Sequence, residues 1–201
     1  FLIEPNMVLG RANKFFLNFS EKLLSYSKNL INIPKKLEQK QITIRPLIRK
    51  RYYEKINNEK KNSFFTIMII GGSQGASIFD TLINEIILKI SNRCSVKIIH
   101  QTSEKNINLL KNFYEENKIE NKVFTFDQNL NELLMQSDLC ITRAGASSLA
   151  ELSLYNIPFI AIPLPTSKDN HQYENAKYYK DKDCCWIVDQ NDFDKQKFEE
   201  I

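Results

Sequence analysis

A doubly wound α/β fold, with helices on both faces of a parallel sheet, is predicted by three features of this sequence. Between Phe64 and Val188, short apolar runs alternate with stretches at helical spacing, giving six candidate strands. The run Phe64–Ile70 is continuous and rich in β-branched residues, as a strand buried on both faces requires. The chain has only five glycines, and four of them fall in two turns, Gly71-Gly72-Ser73-Gln74-Gly75 and Thr142-Arg143-Ala144-Gly145. Each turn follows an apolar run and precedes a helical pattern. A chain this poor in glycine keeps it where φ must be positive or where a ligand approaches closely.

Taken in order, residues 11–31 read as a helix. Phe15, Phe16, Phe19, Leu23 and Tyr26 recur at three- and four-residue steps, with Lys14, Glu21, Lys22 and Lys28 largely off that face. The polar face is not uniformly basic, so this helix is expected to pack on its own domain and not to lie on a membrane. Pro34 ends the first unit. Ile42-Thr43-Ile44 alternates briefly and runs into Arg45-Pro46-Leu47-Ile48-Arg49, and the polar stretch 51–62 reads as a boundary between modules.

A central strand at Phe64–Ile70 comes next, followed by a helix over 76–90 with Ile78, Leu82, Ile83, Ile86, Ile87 and Ile90 inside. Strands are then expected at 96–100, 123–126, 139–142, 158–162 and 186–188. Helices are expected at 107–117, 130–136, 147–155 and 171–179, with a last one from Phe193. Right-handed crossovers place both glycine turns, Asp127 and the 163–172 loop on the carboxyl edge of the sheet, where such folds bind ligands.

Bulk properties narrow the function. The chain is 42% apolar and 26% charged with a net charge of +4, as in ordinary globular proteins. Its lysines are scattered among Asn, Ile and Phe, which points to compositional bias and not to a nucleic-acid surface. Cys94, Cys140, Cys184 and Cys185 lack CxxC spacing; Cys94 and Cys140 are expected as small core residues, in a reducing cytoplasm and without structural zinc. No run approaches the ~20 apolar residues of a membrane span, and no signal peptide is visible. The chain opens on Phe1 within what looks like the end of a strand, so a fragment of something longer is expected.

The first glycine turn is neither a Walker A loop nor a GxGxxG fingerprint. It can offer backbone N–H groups, the Ser73 hydroxyl and a helix start to a diphosphate, or it can be a plain strand–helix turn. Ala146-Ser147-Ser148 starts a second helix at the same edge, with Glu151 one turn on, where a carboxylate can accept from a ribose diol or merely favour the helix dipole. Arg143 can pair with phosphate or with a neighbouring acid. Asp169-Asn170-His171-Gln172 at a third helix start suits sugar hydroxyls, or is a solvated cap. His171 has no partner at triad spacing, and there is no HExxH.

The motifs Gly71-Gly-Ser-Gln-Gly-Ala76, Thr142-Arg-Ala-Gly-Ala-Ser147 with Glu151, and Asp169-Asn-His-Gln-Tyr-Glu-Asn-Ala176 together resemble the MurG family of glycosyltransferases, glycosyltransferase family 28. The likeness runs through nearly the whole chain: Glu4-Pro5-Asn6 stands where the family has Glu-Gln-Asn, and Leu9-Gly10-Arg11-Ala12-Asn13 continues it. The resemblance implies a two-domain glycosyltransferase of the GT-B type. Residues 1–48 would be a remnant of the N-terminal acceptor domain and the linker, and residues 49–201 the Rossmann-like C-terminal domain that binds the UDP-sugar.

It further implies transfer of N-acetylglucosamine, with inversion, from UDP-N-acetylglucosamine to the C4 hydroxyl of undecaprenyl-linked muramoylpentapeptide in peptidoglycan synthesis. That chemistry would take place peripherally at the cytoplasmic face of the bacterial inner membrane, without cofactor or nucleic-acid partner. Ser73 would bond the diphosphate, with Gly72, Gln74 and Gly75 shaping its cradle. The backbone at Asp127 would read the uracil edge, Ala146, Ser147 and Ser148 would line the diphosphate and ribose, and Glu151 would hold the ribose hydroxyls. His171, Gln172 and Asn175 would face the sugar, and Asn6 would approach from the N-terminal side.

Three departures stand out. The family's Asn-Pro-Val-Arg linker appears as Arg45-Pro46-Leu47-Ile48-Arg49, so the strict register match is Ile48 while Arg49 is favoured for the donor contact. Asp127 replaces a commonly apolar residue. The N-terminal glycine loop and histidine used by the family toward acceptor and catalysis are absent, so no catalytic residue is assigned and the fragment itself is expected only to bind donor. No Asp-x-Asp motif demands a divalent cation. The rivals are another UDP-sugar-dependent GT-B enzyme, such as a glycolipid synthase, and a decayed, noncatalytic nucleotide-binding module.

Overall fold

A computed structural model describes residues 1–53, 64–72, 77–193 and residue 198. Two parallel sheets organise the described residues. The first is small: β1 (Leu2–Glu4), β2 (Leu23–Ser25) and β3 (Gln41–Thr43) pair in that order. Leu9, Leu17, Leu23, Leu30 and Leu37 form its core, and α1 (Arg11–Phe16) joins β1 to β2.

The second sheet holds β4 (Phe65–Ile70), β5 (Val96–Gln101), β6 (Glu120–Phe124), β7 (Leu139–Thr142), β8 (Phe159–Ala161) and β9 (Cys185–Ile187). All pairs are parallel, in the order β6-β5-β4-β7-β8-β9. Alternation along the strands divides its apolar residues between two cores. Met68, Ile70, Ile99, Cys140, Phe159 and Ala161 face one side, while Ile67, Ile69, Ile98, Ile141 and Ile160 face the other. The first face is covered by α5 (Leu130–Met135), α6 (Ala146–Leu154) and α7 (His171–Lys180). The second is covered by α2 (Phe79–Leu82), α3 (Asn84–Ser91) and α4 (Ile107–Glu116). The doubly wound α/β fold expected from the sequence is therefore present. None of the described helices is long and apolar enough to cross a membrane.

Four expectations are corrected. Residues 11–31 are not one helix: α1 stops at Phe16 and the chain enters β2. Phe15, Phe16 and Phe19 are 67%, 53% and 80% exposed, whereas Leu17 between them is fully buried. Pairing of Leu23–Ser25 between two neighbouring strands outweighs the helical period that the aromatics suggested.

The helix expected over 76–90 is split at Ile83, where the Asn84 side-chain amide donates to the Asp80 carbonyl in place of a continuous ladder; residue 76 lies outside the described residues. The third strand begins at Glu120 and leaves Phe126 75% exposed. Polar residues hide its start because β6 is an edge strand, where Lys97 reaches across to Glu120 at 2.8 Å. Finally, Cys94 is exposed on the turn before β5, whereas Cys140 is buried as expected. Of the last helix expected from Phe193, residues 194–197 and 199–201 are outside the described residues.

Candidate functional site

Strand order reverses between β4 and β7, so the carboxyl ends of these two strands bound the crevice in which open α/β sheets bind ligands. β4 runs out into Gly71-Gly72 and β7 into Arg143-Ala144-Gly145, which brings the two glycine turns to one place. A cavity of about 500 Å³ opens there, lined by Gly71, Gly72, Gly145 and Ser148 together with Ser167, Lys168, His171 and Gln172. Ser73, Gln74 and Gly75 lie outside the described residues.

The two glycine turns differ in kind. Gly72 has φ of +77°, which strains any side chain. Gly145 has an ordinary φ of −70° and serves as the N-cap of α6 without any side-chain cap. The first bond closing this end of the helix runs from the Leu149 N–H to the Gly145 carbonyl at 3.0 Å. The amides of Ala146, Ser147 and Ser148 thus have no partner inside the helix, and they carry its positive end to the cavity.

Arg143 does not take the second of the two roles read from the sequence, pairing with a neighbouring acid. Its guanidinium donates to the carbonyls of Ile162 (2.9 Å) and Pro163 (3.3 Å) and to Gln190 Oε1 (2.6 Å), and it lies 4.9 Å above the Phe79 ring. It braces the loop after β8, and no acid among the described residues neutralises it. On that loop the Ser167 hydroxyl is buried without a hydrogen-bond partner, an orphan on the cavity wall that the sequence reading missed. His171 Nδ1 lies 2.8 Å from the Lys168 carbonyl, which fixes its proton on Nδ1. Gln172 Oε1 accepts from Leu164 N at 2.9 Å, holding the loop against α7.

Glu151 follows Ser148 by three residues on the same face of α6. Burial lifts its carboxyl above the ordinary range, opposed by a hydrogen bond from Tyr52 and by the charges of Arg49 and Arg51. Ile48 packs into the core, so the linker presents Arg49, and not the strict register position, to this acid. Tyr52 falls in a stretch that the sequence made look like linker; an aromatic pair amid charges, Tyr52-Tyr53, was the one signal against that.

Asp127 follows edge strand β6. Its carboxylate accepts from Lys122 Nζ at 2.9 Å and from Asn129 N at 2.8 Å, and these bonds hold it below the usual carboxylate range. With the side chain so engaged, the backbone is what Asp127 can offer a ligand.

The N-terminal segment reaches the site through two buried polar side chains. Asn175 Oδ1 accepts from Met7 N at 2.9 Å, and its Nδ2 donates to Asn6 Oδ1 (3.0 Å) and the Ala144 carbonyl (3.1 Å). Asn175 thereby fastens the chain start to the turn before α6, a role the sequence reading did not contain. Asn6 is held in turn by Glu4, only 2% exposed, whose carboxylate also accepts from Gly10 N (2.7 Å) and Asn13 Nδ2 (2.9 Å). A Cβ on Gly10 would sit 3.0 Å from Glu4 Oε2, which explains the fifth glycine.

Residues 66–201 match the model of the glycosyltransferase family 28 C-terminal domain. The chain is 44% identical over 195 residues to a protein of Pelagibacter ubique (strain HTCC1062) named UDP-N-acetylglucosamine–N-acetylmuramyl-(pentapeptide) pyrophosphoryl-undecaprenol N-acetylglucosamine transferase, covering 97% of this chain and 55% of that protein. A protein of the same name from Rickettsia bellii (strain RML369-C) is 35% identical, over 98% of this chain and 57% of its own length. This chain therefore spans about half the length of the curated relatives it matches. The crystal structure of Acinetobacter baumannii MurG superposes with a TM-score of 0.77 at 21% identity, covering 98% of this chain and 55% of that one. WaaG, a glycosyltransferase involved in lipopolysaccharide biosynthesis, does so at 0.57 and 15% identity, over 90% and 52%. The chain belongs to glycosyltransferase family 28, whose C-terminal domain it carries from residue 66 onward.

Proposed function

We propose that this chain is the donor-binding half of an inverting N-acetylglucosaminyltransferase of peptidoglycan synthesis. In this reading residues 1–48 are a remnant of the acceptor domain with the linker, and 49–201 hold UDP-N-acetylglucosamine. One observation carries the reading: the uncapped start of α6 and the Gly72 turn line a single cavity at the point where strand order reverses. Free amides, a helix dipole and an arginine without an acidic partner favour a diphosphate there. The relatives' names supply the sugar and the acceptor.

The roles follow from position. The amides of Ala146, Ser147 and Ser148, with the cradle of Gly72, Ser73, Gln74 and Gly75, hold the diphosphate. Glu151 accepts from the ribose hydroxyls, with Arg49 beside it, and the Asp127 backbone meets uracil. His171 and Gln172 face the sugar, and Asn6, which Asn175 holds in place, approaches it from the N-terminal side. In the whole enzyme the muramoyl C4 hydroxyl of the undecaprenyl-linked acceptor attacks the sugar's anomeric carbon from the face opposite UDP. The amides and the positive end of α6 stabilise the charge growing on the departing diphosphate, a contribution of several kcal/mol in comparable oxyanion sites. In this reading the enzyme works peripherally at the membrane surface that carries its lipid-linked acceptor, on the cytoplasmic side, where the nucleotide-sugar donor is found.

Calorimetry and thermal melting with UDP-N-acetylglucosamine test this. UDP-N-acetylglucosamine at a hundredfold excess over Kd should stabilise the chain by roughly 2.7 kcal/mol. Glu151→Ala should weaken binding about 10- to 100-fold, the range for lost hydrogen bonds to a charged group. No melting shift at millimolar donor would sink the proposal.

A further inference from the structure

The donor site as described makes no use of Tyr52, yet this residue is held with unusual care. It closes the short turn Lys50–Tyr52 and is 2% exposed. Its ring stacks on that of Tyr155, with centroids 5.9 Å apart and planes within 23°. The Tyr155 hydroxyl donates to the Tyr52 backbone carbonyl at 2.8 Å. Tyr155 lies one helical turn beyond Glu151, at the end of α6. Ring and backbone of Tyr52 are therefore both clamped to the helix that carries the acid, which sets its hydroxyl beside the Glu151 carboxylate; burial, with that neighbouring acid, pushes the phenol up to about 12. A phenol buried among apolar groups needs such a partner.

Arg49 and Arg51 also face Glu151, but both are exposed, and Arg51 lies 5.7 Å above the Tyr52 ring. Exposed arginines give a screened, adjustable attraction, whereas the buried phenol fixes a direction.

We propose that Tyr52 is a positioning residue for nucleotide binding, orienting the Glu151 carboxylate toward the vicinal diol of a ribose. A carboxylate offers about four acceptor sites, so one phenol donation leaves room for both ribose hydroxyls. Without it the carboxylate can turn away from the ligand, and it takes up a proton more readily, because the phenol opposes the effect of burial. This inference rests on the reading of the cavity as a UDP-sugar site.

Tyr52→Phe keeps the ring and its stacking and removes only the hydroxyl. Binding of UDP should weaken roughly tenfold, while 2′,3′-dideoxy-UDP, which has no diol to lose, should bind both proteins alike. On a Glu151→Ala background the same substitution should change nothing further. The pH below which UDP affinity falls should move upward in Tyr52→Phe, since the charged carboxylate has lost a donor. Equal weakening for both nucleotides, or no weakening for either, would overturn the inference and leave Tyr52 a packing residue. Failure of the unsubstituted chain to bind UDP at all would overturn the donor-site reading and this inference with it.

Discussion

The three-stranded sheet of residues 2–43 and the six-stranded sheet of residues 65–187 are both parallel, yet they are held together by different means. The larger sheet is sandwiched between two apolar cores, and its strands alternate strictly between them. The smaller has strands of three residues and five buried leucines. Its order comes as much from polar groups: the buried Glu4 carboxylate gathers Asn6, Gly10 and Asn13, Lys40 Nζ donates to the carbonyls of Leu17, Asn18 and Ser20, and Asn175 reaches in from α7. Where apolar burial dominates, unfolding should be cooperative. Where a few hydrogen-bonded side chains set the geometry, single substitutions should loosen one region and spare the other.

The largest expected effect lies in the larger sheet. Phe159 is fully buried and meets Tyr179 edge-on at 5.8 Å. Phe159→Ala should cost about 3–5 kcal/mol in chemical denaturation, and a loss under about 1 kcal/mol would break the contrast. A smaller and more local effect is expected at the polar knot. Glu4→Ala leaves the amides of Gly10 and Asn6 and the Asn13 side chain without their acceptor, a loss of about 2–3 kcal/mol. Hydrogen exchange should quicken in residues 1–43 and stay unchanged in β4 and β5. Equal quickening in both sheets would show that the two regions open as one.

The same contrast decides what could be read in advance. Apart from the start of β6 and the break at Ile83, β4 through β9 and their helices were legible because a continuous run such as Ile67–Ile70, or the spacing of Ile83, Ile86 and Ile87, reports burial directly. The stretch after α1 was not legible. Phe15, Phe16 and Phe19 mark a helical stripe, but they are exposed, and a single leucine at 17 does the packing. Hydrogen-bond geometry leaves no period in a sequence, so the knot at Glu4 showed only as a string of motif residues.

The site divides along the same line. Its placement followed from the glycine turns and the carboxyl edge of a parallel sheet, and the cavity gathers Gly72, Gly145, Ser148, His171 and Gln172 as their positions suggested. Arg143 as a loop brace, Asn175 as a fastener and Tyr52 against Glu151 depend on which atoms meet, and spacing says nothing of that.

The central claim is that one crevice presents the start of α6 to a diphosphate and Glu151 to a ribose. A crystal of the chain soaked with UDP tests it directly. The account predicts phosphate oxygens within hydrogen-bond distance of the Ser147 and Ser148 amides, with the ribose diol on the Glu151 carboxylate. A nucleotide bound elsewhere, or one seated in the crevice with its ribose turned away from Glu151, would contradict it.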